Sequence, residues 1–302
     1  MLAHTRSTLR LLLTSLLALV STLPAQALSD SAWVIERDSR YVEWEMGGGS
    51  YRLAGESHQQ MQFRGLLEYG LLENTTFRLA YPFLIRSRAH ESGEPERLVN
   101  NGFTDLFLGS RVQLLDEPFG LALSGGFRVP TGYNPALMPT LGNGLLDMEL
   151  SLLGGWDFFP LEAYIQGGAG YRFRTNFPRE HALVAQAAAA GREIEKPADQ
   201  ILLLAEGGIW LSESWFAALT LKGEIALNQT RAQAQSQVLL RPLLAWRVQP
   251  VLDLSLQLEQ SLWTQNQPHL TQVMLGAHFR YGLPLTRGKG LRGGIPDYAR
   301  RE

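Results

Sequence analysis

The chain has no cysteine among its 302 residues. That absence excludes a disulfide framework, a thiol nucleophile and cysteine-ligated zinc or iron–sulfur sites. Charge is also scarce: 19% of residues are Asp, Glu, Lys or Arg, and the formal net charge is -2. Soluble domains carry roughly 25% charged residues, and a balance so near neutrality offers no broad phosphate-binding surface, so nucleic acid is not an expected partner. No internal stretch reaches the roughly 18 uninterrupted apolar residues of a membrane-spanning helix. If a membrane is crossed, helices do not cross it.

Enzyme signatures are missing as well. There is no Gly-x-Ser-x-Gly elbow, no His-Glu-x-x-His helix and no glycine-rich phosphate loop ending in lysine. The histidines, His4, His58, His90, His181, His269 and His278, are widely spaced. His90 and Ser92 stand close enough to suggest a nucleophile and its base, but the charged segment around them reads as solvated loop. Neither catalytic residues nor a metal or cofactor is expected.

What is present begins with an export signal. Arg6 and Arg10 precede the apolar runs Leu11–Leu13 and Leu16–Val20, and Pro24 leads into Ala25-Gln26-Ala27. That order is the charged, apolar and small-x-small sequence of a secretory signal peptide, with cleavage expected before Leu28; a retained anchor is the alternative. Residues 28–38 then read as an N-terminal periplasmic segment.

From residue 39 onward the dominant period is two. In Val251–Trp263, Leu252, Leu254, Leu256, Leu258 and Leu262 face one way, and Asp253, Ser255, Gln257, Glu259 and Ser261 the other. One greasy face and one wet face satisfy that pattern without a soluble core. The same reading predicts strands near 39–46, 59–69, 75–86, 102–114, 119–130, 145–157, 161–174, 200–211, 215–227, 236–248, 251–263 and 270–281. Several are long enough to cross a bilayer at a tilt, which takes about 9–11 residues. Short connections at 70–74, 115–118, 159–160, 212–214 and 249–250 alternate with long ones at 47–58, 87–101, 131–144, 175–199 and 228–235. An even number of strands, about twelve, with short turns at one end and longer loops at the other, predicts a single transmembrane antiparallel up-and-down β-barrel over 39–281. Tyr69, Phe119, Phe158, Phe159, Trp215 and Trp246 lie near the short turns, where an interfacial aromatic girdle belongs. A soluble β-sandwich is the competing architecture. Residues 282–302, with five basic residues among glycines, read as a flexible periplasmic tail.

Alternation also assigns an inner face. Glu68, Arg78, Asp105, Arg111, Arg128, Asp147, Glu149, Arg172, Lys222, Glu224, Arg241, Arg247, Asp253, Glu259 and Arg280 are candidate lumen-lining residues. Both signs occur in similar number, so pairing is expected and strong ion selectivity is not. Their two readings are a rigidifying salt-bridge network and a polar path for solute. Gly154, Gly155, Gly167, Gly168, Gly207 and Gly208 form a glycine-rich stretch of neighbouring strands. It reads either as the curvature that closure demands or as a deformable wall for lateral exit.

A family resemblance rests on four places. Asn101-Gly102-Phe103-Thr104-Asp105-Leu106-Phe107-Leu108-Gly109-Ser110-Arg111 resembles the Gly-x-Gly-Asp-x-x-Leu-Gly-x-Lys/Arg strand of the meta-pathway phenol-degradation family of outer-membrane transporters, with Thr104 at a glycine position. Gly126–Gly132, Leu141–Gly144 with Asp147, and Gly168–Arg172 are similar to successive segments of that family. The resemblance implies an outer-membrane location in a Gram-negative envelope and passage of small hydrophobic or aromatic solutes. Gly276–Tyr281 resembles the C-terminal signal read by the barrel-assembly machinery. Outer-membrane lipid, that machinery and a small solute are therefore the expected partners; nothing sets an oligomeric state. The alternative function is a structural or surface-interaction barrel with a plugged lumen.

Overall fold

A computed structural model describes residues 31–53, 56–89, 98–116, 119–131, 141–142, 145–158, 161–175, 198–227, 235–265 and 269–282. The signal peptide, His90–Ser92, His181, most of loop 175–199 and the tail after residue 282 lie outside the described residues. Strands are β1 (Arg40–Leu53), β2 (Glu56–Leu72), β3 (Thr75–Ala89), β4 (Leu98–Phe103), β5 (Asp105–Leu115), β6 (Phe119–Pro130) and β7 (Asp147–Asp157). They continue with β8 (Ala163–Arg174), β9 (Gln200–Trp210), β10 (Trp215–Ala226), β11 (Ser236–Gln249), β12 (Leu252–Gln265) and β13 (Thr271–Tyr281).

Apart from β4 and β5, consecutive strands pair antiparallel, and β1 pairs with both β2 and β13, so the sheet closes on itself. Closure lets the ladder groups bond within the wall rather than face lipid, the condition for an all-strand membrane span. Both β4 and β5 run along β3 and together make one strand, so the barrel is twelve-stranded. The break falls at Thr104, opposite Pro82, whose ring nitrogen has no hydrogen to give the ladder. Between the pairs Phe83↔Phe103 and Ala80↔Phe107, three residues face two, a bulge in which Thr104 N donates to Pro82 O at 3.0 Å. The expected single strand 102–114 is thus two pieces and begins earlier.

A second correction concerns 47–58, expected to be a long loop. The ladder of β1 with β2 runs on through Gly47, Gly48 and Gly49 to the pair Leu53↔Glu56. These glycines do not make a turn there. A β-carbon on Gly47 would lie 2.1 Å from the Val273 carbonyl oxygen, so close strand approach is what requires glycine.

The two faces divide as alternation predicts. In β12, Asp253, Ser255, Gln257, Glu259 and Ser261 are buried inside, while Leu254, Leu256, Leu258 and Leu262 are exposed outside. Leu123, Phe127, Leu150, Leu152, Ile165, Leu203 and Leu219 continue that exposed apolar band around other strands. Such a band is stable against lipid and unstable against water. Phe119, Trp156, Phe158, Trp215 and Trp246 ring the short-turn end, with Trp215 stacked on Trp246 at 6.3 Å. Tyr69 is there too, donating to Asp38 at 2.9 Å.

The lead-in before β1 does not hang below the barrel. Ser31, Ala32, Trp33 and Ile35 are buried inside the short-turn mouth, and only Glu36 to Asp38 are exposed.

Candidate functional site: the lumen

Twelve strands enclose a lumen between that of a filled small barrel and a wide porin. Here its wall is built from charged side chains that adjacent strands bring into register. At the short-turn end, Asp253 accepts from Arg247 Nε and Arg280 Nη2, each at 3.0 Å, and the Arg247 guanidinium lies 4.1 Å from the Trp210 ring centroid. Around the wall, Glu68 Oε1 accepts from Arg78 Nε at 3.1 Å and Arg111 Nη2 at 2.8 Å. Further along, Glu259 joins Arg64 at 3.2 Å, Arg241 at 2.9 Å and the Gln272 amide at 2.9 Å. Towards the long-loop end, Glu149 bridges Arg128 and Arg172, Arg172 reaches Glu224 at 3.1 Å, and Arg174 holds Asp147 at 2.8 Å.

All the lumen-lining residues expected from sequence therefore face inward, and every one except Asp105 and Lys222 takes part in the ion pairs just given. Asp105 is half-buried, Lys222 is buried, and each is engaged by neighbouring groups. Most carboxylates here serve two cations at once, which holds charges that would be costly to leave alone in a confined space. Among the described residues the two signs alternate around the wall, and no ring of one sign forms.

One part of the wall is different. On β7 to β11 the inward positions include Leu153, Leu202, Leu204, Ala218, Leu239 and Leu243, and Leu202, Leu204 and Leu243 remain half-buried. A recess bounded by Leu153, Gly168, Gly170, Leu202, Leu204, Lys222 and Glu224 lies along this strip. The apolar strip thus runs among inward charges of the same strands, with Glu149, Arg172 and Glu224 towards the long-loop end and Arg241 beside it.

The six candidate wall glycines split by face. Gly154, Gly167 and Gly207 point outward, and a β-carbon on Gly207 would find nothing nearer than 3.7 Å. Gly155, Gly168 and Gly208 point inward and are already covered: their β-carbons would lie 2.5 Å from Trp33, 2.5 Å from Leu153 and 2.6 Å from Tyr164. Pairing through all six is continuous, with Gly154 opposite Gly167 and Gly207 opposite Ile165. The strands do not part at this wall.

Two features escape sequence reading. A relay crosses the seam of β1, β12 and β13: Ser255 Oγ to His278 Nε2 is 2.7 Å, His278 Nδ1 to Tyr41 Oη is 2.7 Å, and Tyr41 donates to Glu43 Oε2 at 2.9 Å. Alternation puts these four residues on inner faces, but only closure makes β1 the neighbour of β13. The other is the buried N-terminal segment, which has no periodicity to announce it.

No model of a protein family matches the chain, and no curated protein matches it. Among solved structures it is similar to the COG4313 outer membrane channel from Pseudomonas putida F1, at 14% identity and a TM-score of 0.61, covering 85% of this chain and 100% of that one. It also overlaps the NanC porin, at 9% identity, a TM-score of 0.48, and coverage of 81% and 100%. The first of these agrees with the closed twelve-stranded architecture. The class is an outer-membrane-type β-barrel.

Proposed function

We propose that the protein is an outer-membrane channel for passive passage of small solutes, with hydrophobic or aromatic compounds favoured, and that it is not an enzyme. The observation that carries the reading is the strip of half-buried Leu202, Leu204 and Leu243 among the charged groups of the lumen, with Leu204 and Leu243 extending from the buried aromatic cluster around Trp33. The part of these apolar groups that neither lipid nor the cluster covers loses nothing when a solute with an apolar body slides along it. The charged groups around the strip suit a hydroxyl or carbonyl on the same solute. The resemblance of residues 101–174 to phenol-degradation transporters supports that solute class, and the likeness to a solved outer membrane channel supports passage. Export by the N-terminal signal and insertion by the barrel-assembly machinery, reading the end of β13, complete the proposal.

Liposome swelling with the refolded mature chain tests it. Phenol and small alcohols should enter faster than sugars of similar size, with little preference between K⁺ and Cl⁻ in planar bilayers. Folded barrels that pass none of these overturn it. A plugged structural barrel is the second reading, favoured by the segment 31–35 seated in one mouth.

A further inference from the structure

The segment at the short-turn mouth is held in an unusual way. It makes no strand pair over 31–37; its backbone is gripped by side chains from the wall. Ala32 N donates to Gln166 Oε1 at 2.8 Å, Val34 N to Gln113 Oε1 at 2.9 Å, and Ile35 N to Thr76 Oγ1 at 2.9 Å. In return Arg111 Nη1 donates to Ser31 O at 3.0 Å and Gln113 Nε2 to Ala32 O at 2.9 Å. Every one of these wall groups can bond water once the segment leaves, so its departure strands no ladder amide.

The anchor is Trp33, only 4% exposed. Its indole lies in a slot floored by two inward glycines of adjacent strands. A β-carbon on Gly120 would stand 2.6 Å from the indole Nε1, and one on Gly155 2.5 Å from Cη2. Tyr164 closes the slot edge-on, ring centroids 5.8 Å apart at 89°. Leu153, Trp210 and Phe216 complete a cluster that is apolar and aromatic. The acid beside it, Glu206, is already bonded to Tyr164, Gln166 and Thr220, each at 2.7 Å. The slot is walled by glycine backbone and aromatic faces, and the nearest cation, Arg247, is paired with Asp253 and lies over the far ring, Trp210.

We propose that this slot is a binding site for an uncharged planar aromatic ring, filled in the closed channel by Trp33 as an internal ligand, and that residues 31–37 are the gate it latches. A solute ring that takes the slot displaces Trp33, and with its anchor gone the segment no longer blocks the mouth. The gate rests on the reading of the protein as a channel; the ring site does not.

The test replaces the latch in the full mature chain with Trp33→Gly and uses indole as the probe. In calorimetric titration of the detergent-folded protein, W33G should bind indole saturably and at least about tenfold more tightly than the wild type. The double variant W33G/G155V, with the slot refilled from the wall, should lose that binding. Equal binding by wild type and W33G, or binding that survives G155V, overturns the ring site. In planar bilayers W33G should open larger single-channel steps than the wild type, and indole should reduce them. G155V alone, which evicts the Trp33 ring from the opposite side, should also open larger steps, which added indole should leave unchanged, and it serves if W33G gives no heat-modifiable folded band. Unchanged steps in every variant that folds overturn the gate. If those unchanged steps are measurable, passage stands and only the gate falls; if no variant conducts, the channel reading falls with it.

Discussion

The phenol oxygen of Tyr41 lies 2.7 Å from Nδ1 of His278, tying the first strand of the barrel to the last. Tyr41 spends its one proton on Glu43, so it accepts from Nδ1–H of His278, whose Nε2 meets the Ser255 hydroxyl. The protons of His278 Nδ1 and Tyr41 both point towards the carboxylate. The relay is thus a clasp across the seam where β1 and β13 close the sheet.

Tyr41→Phe removes the middle of that clasp and the hydrogen bonds the phenol makes with His278 Nδ1 and Glu43. The expected cost is about 1–3 kcal/mol of unfolding free energy, the range for a buried group deprived of its hydrogen bond. Urea titration of the folded barrel in detergent, followed by tryptophan fluorescence, measures it. A Tyr41→Phe barrel as stable as the parent would mean that the ladder alone holds the seam.

The same geometry places a serine against a histidine base, yet Ser255 is not expected to act as a nucleophile. An acyl-transfer site needs donors aimed at the developing oxyanion, and the backbone around Ser255 is committed to ladders on both sides, opposite Ala245 and Gly276. Treatment of the folded barrel with a fluorophosphonate probe should leave Ser255 unlabelled by mass spectrometry. Stoichiometric labelling at Ser255, lost in His278→Ala, would overturn the non-enzymatic reading.

Much of this architecture is legible from period-two alternation, because a barrel wall presents one face to lipid and the other to the lumen along every strand. Thus Leu254 and Leu256 face out, and Asp253 and Glu259 face in. Glycine is where local reading fails. Gly47–Gly49 looks like a loop, and for Gly47 it is backbone and side-chain atoms of Val273 and Met274, on a strand more than 200 residues away, that explain why a side chain cannot fit. Pairing of inner charges is similarly half-legible. Glu68 and Arg78 sit opposite each other in a hairpin and are predictable, whereas Arg64 meets Glu259 only because the closed ring leaves just β1 and β13 between their strands. The relay depends on the same closure, and the Trp33 slot on a lead-in segment that packs against strands far from β1 in the chain.

Glycine position makes a prediction of its own. Gly47→Val forces a β-carbon to within 2.1 Å of backbone that cannot swing away, whereas Gly207→Val meets nothing closer than 3.7 Å on the lipid side. Gly168→Val belongs with the first, since Leu153 and the Leu152 carbonyl oxygen lie 2.5 and 2.6 Å from its β-carbon. Refolding yield, read from the heat-modifiable band, should fall sharply for Gly47→Val and Gly168→Val and stay near parental for Gly207→Val. A valine at 207 should leave solute entry unchanged as well, because the ladder there is continuous; impaired entry with normal folding would revive a lateral route.

Charge removal inside the lumen should be far costlier than at its mouth. Glu68 is fully buried and accepts from both Arg78 and Arg111. Glu68→Gln keeps the volume but leaves two guanidinium groups facing each other with no anion between them. Breaking a buried pair in this way costs roughly 3–5 kcal/mol. Arg37 and Asp38 approach to 3.7 Å with both side chains mostly in solvent, so Arg37→Ala should not shift the urea midpoint measurably. The decisive variant is Glu68→Gln with Arg78→Met, which removes one of the two stranded cations and replaces its stem with apolar bulk against Phe107. If the loss in Glu68→Gln comes from uncompensated charge, the double variant should regain part of the lost stability. If it comes from packing, Arg78→Met should deepen the loss, because it also forfeits the contact of the guanidinium with the Phe107 ring at 5.5 Å.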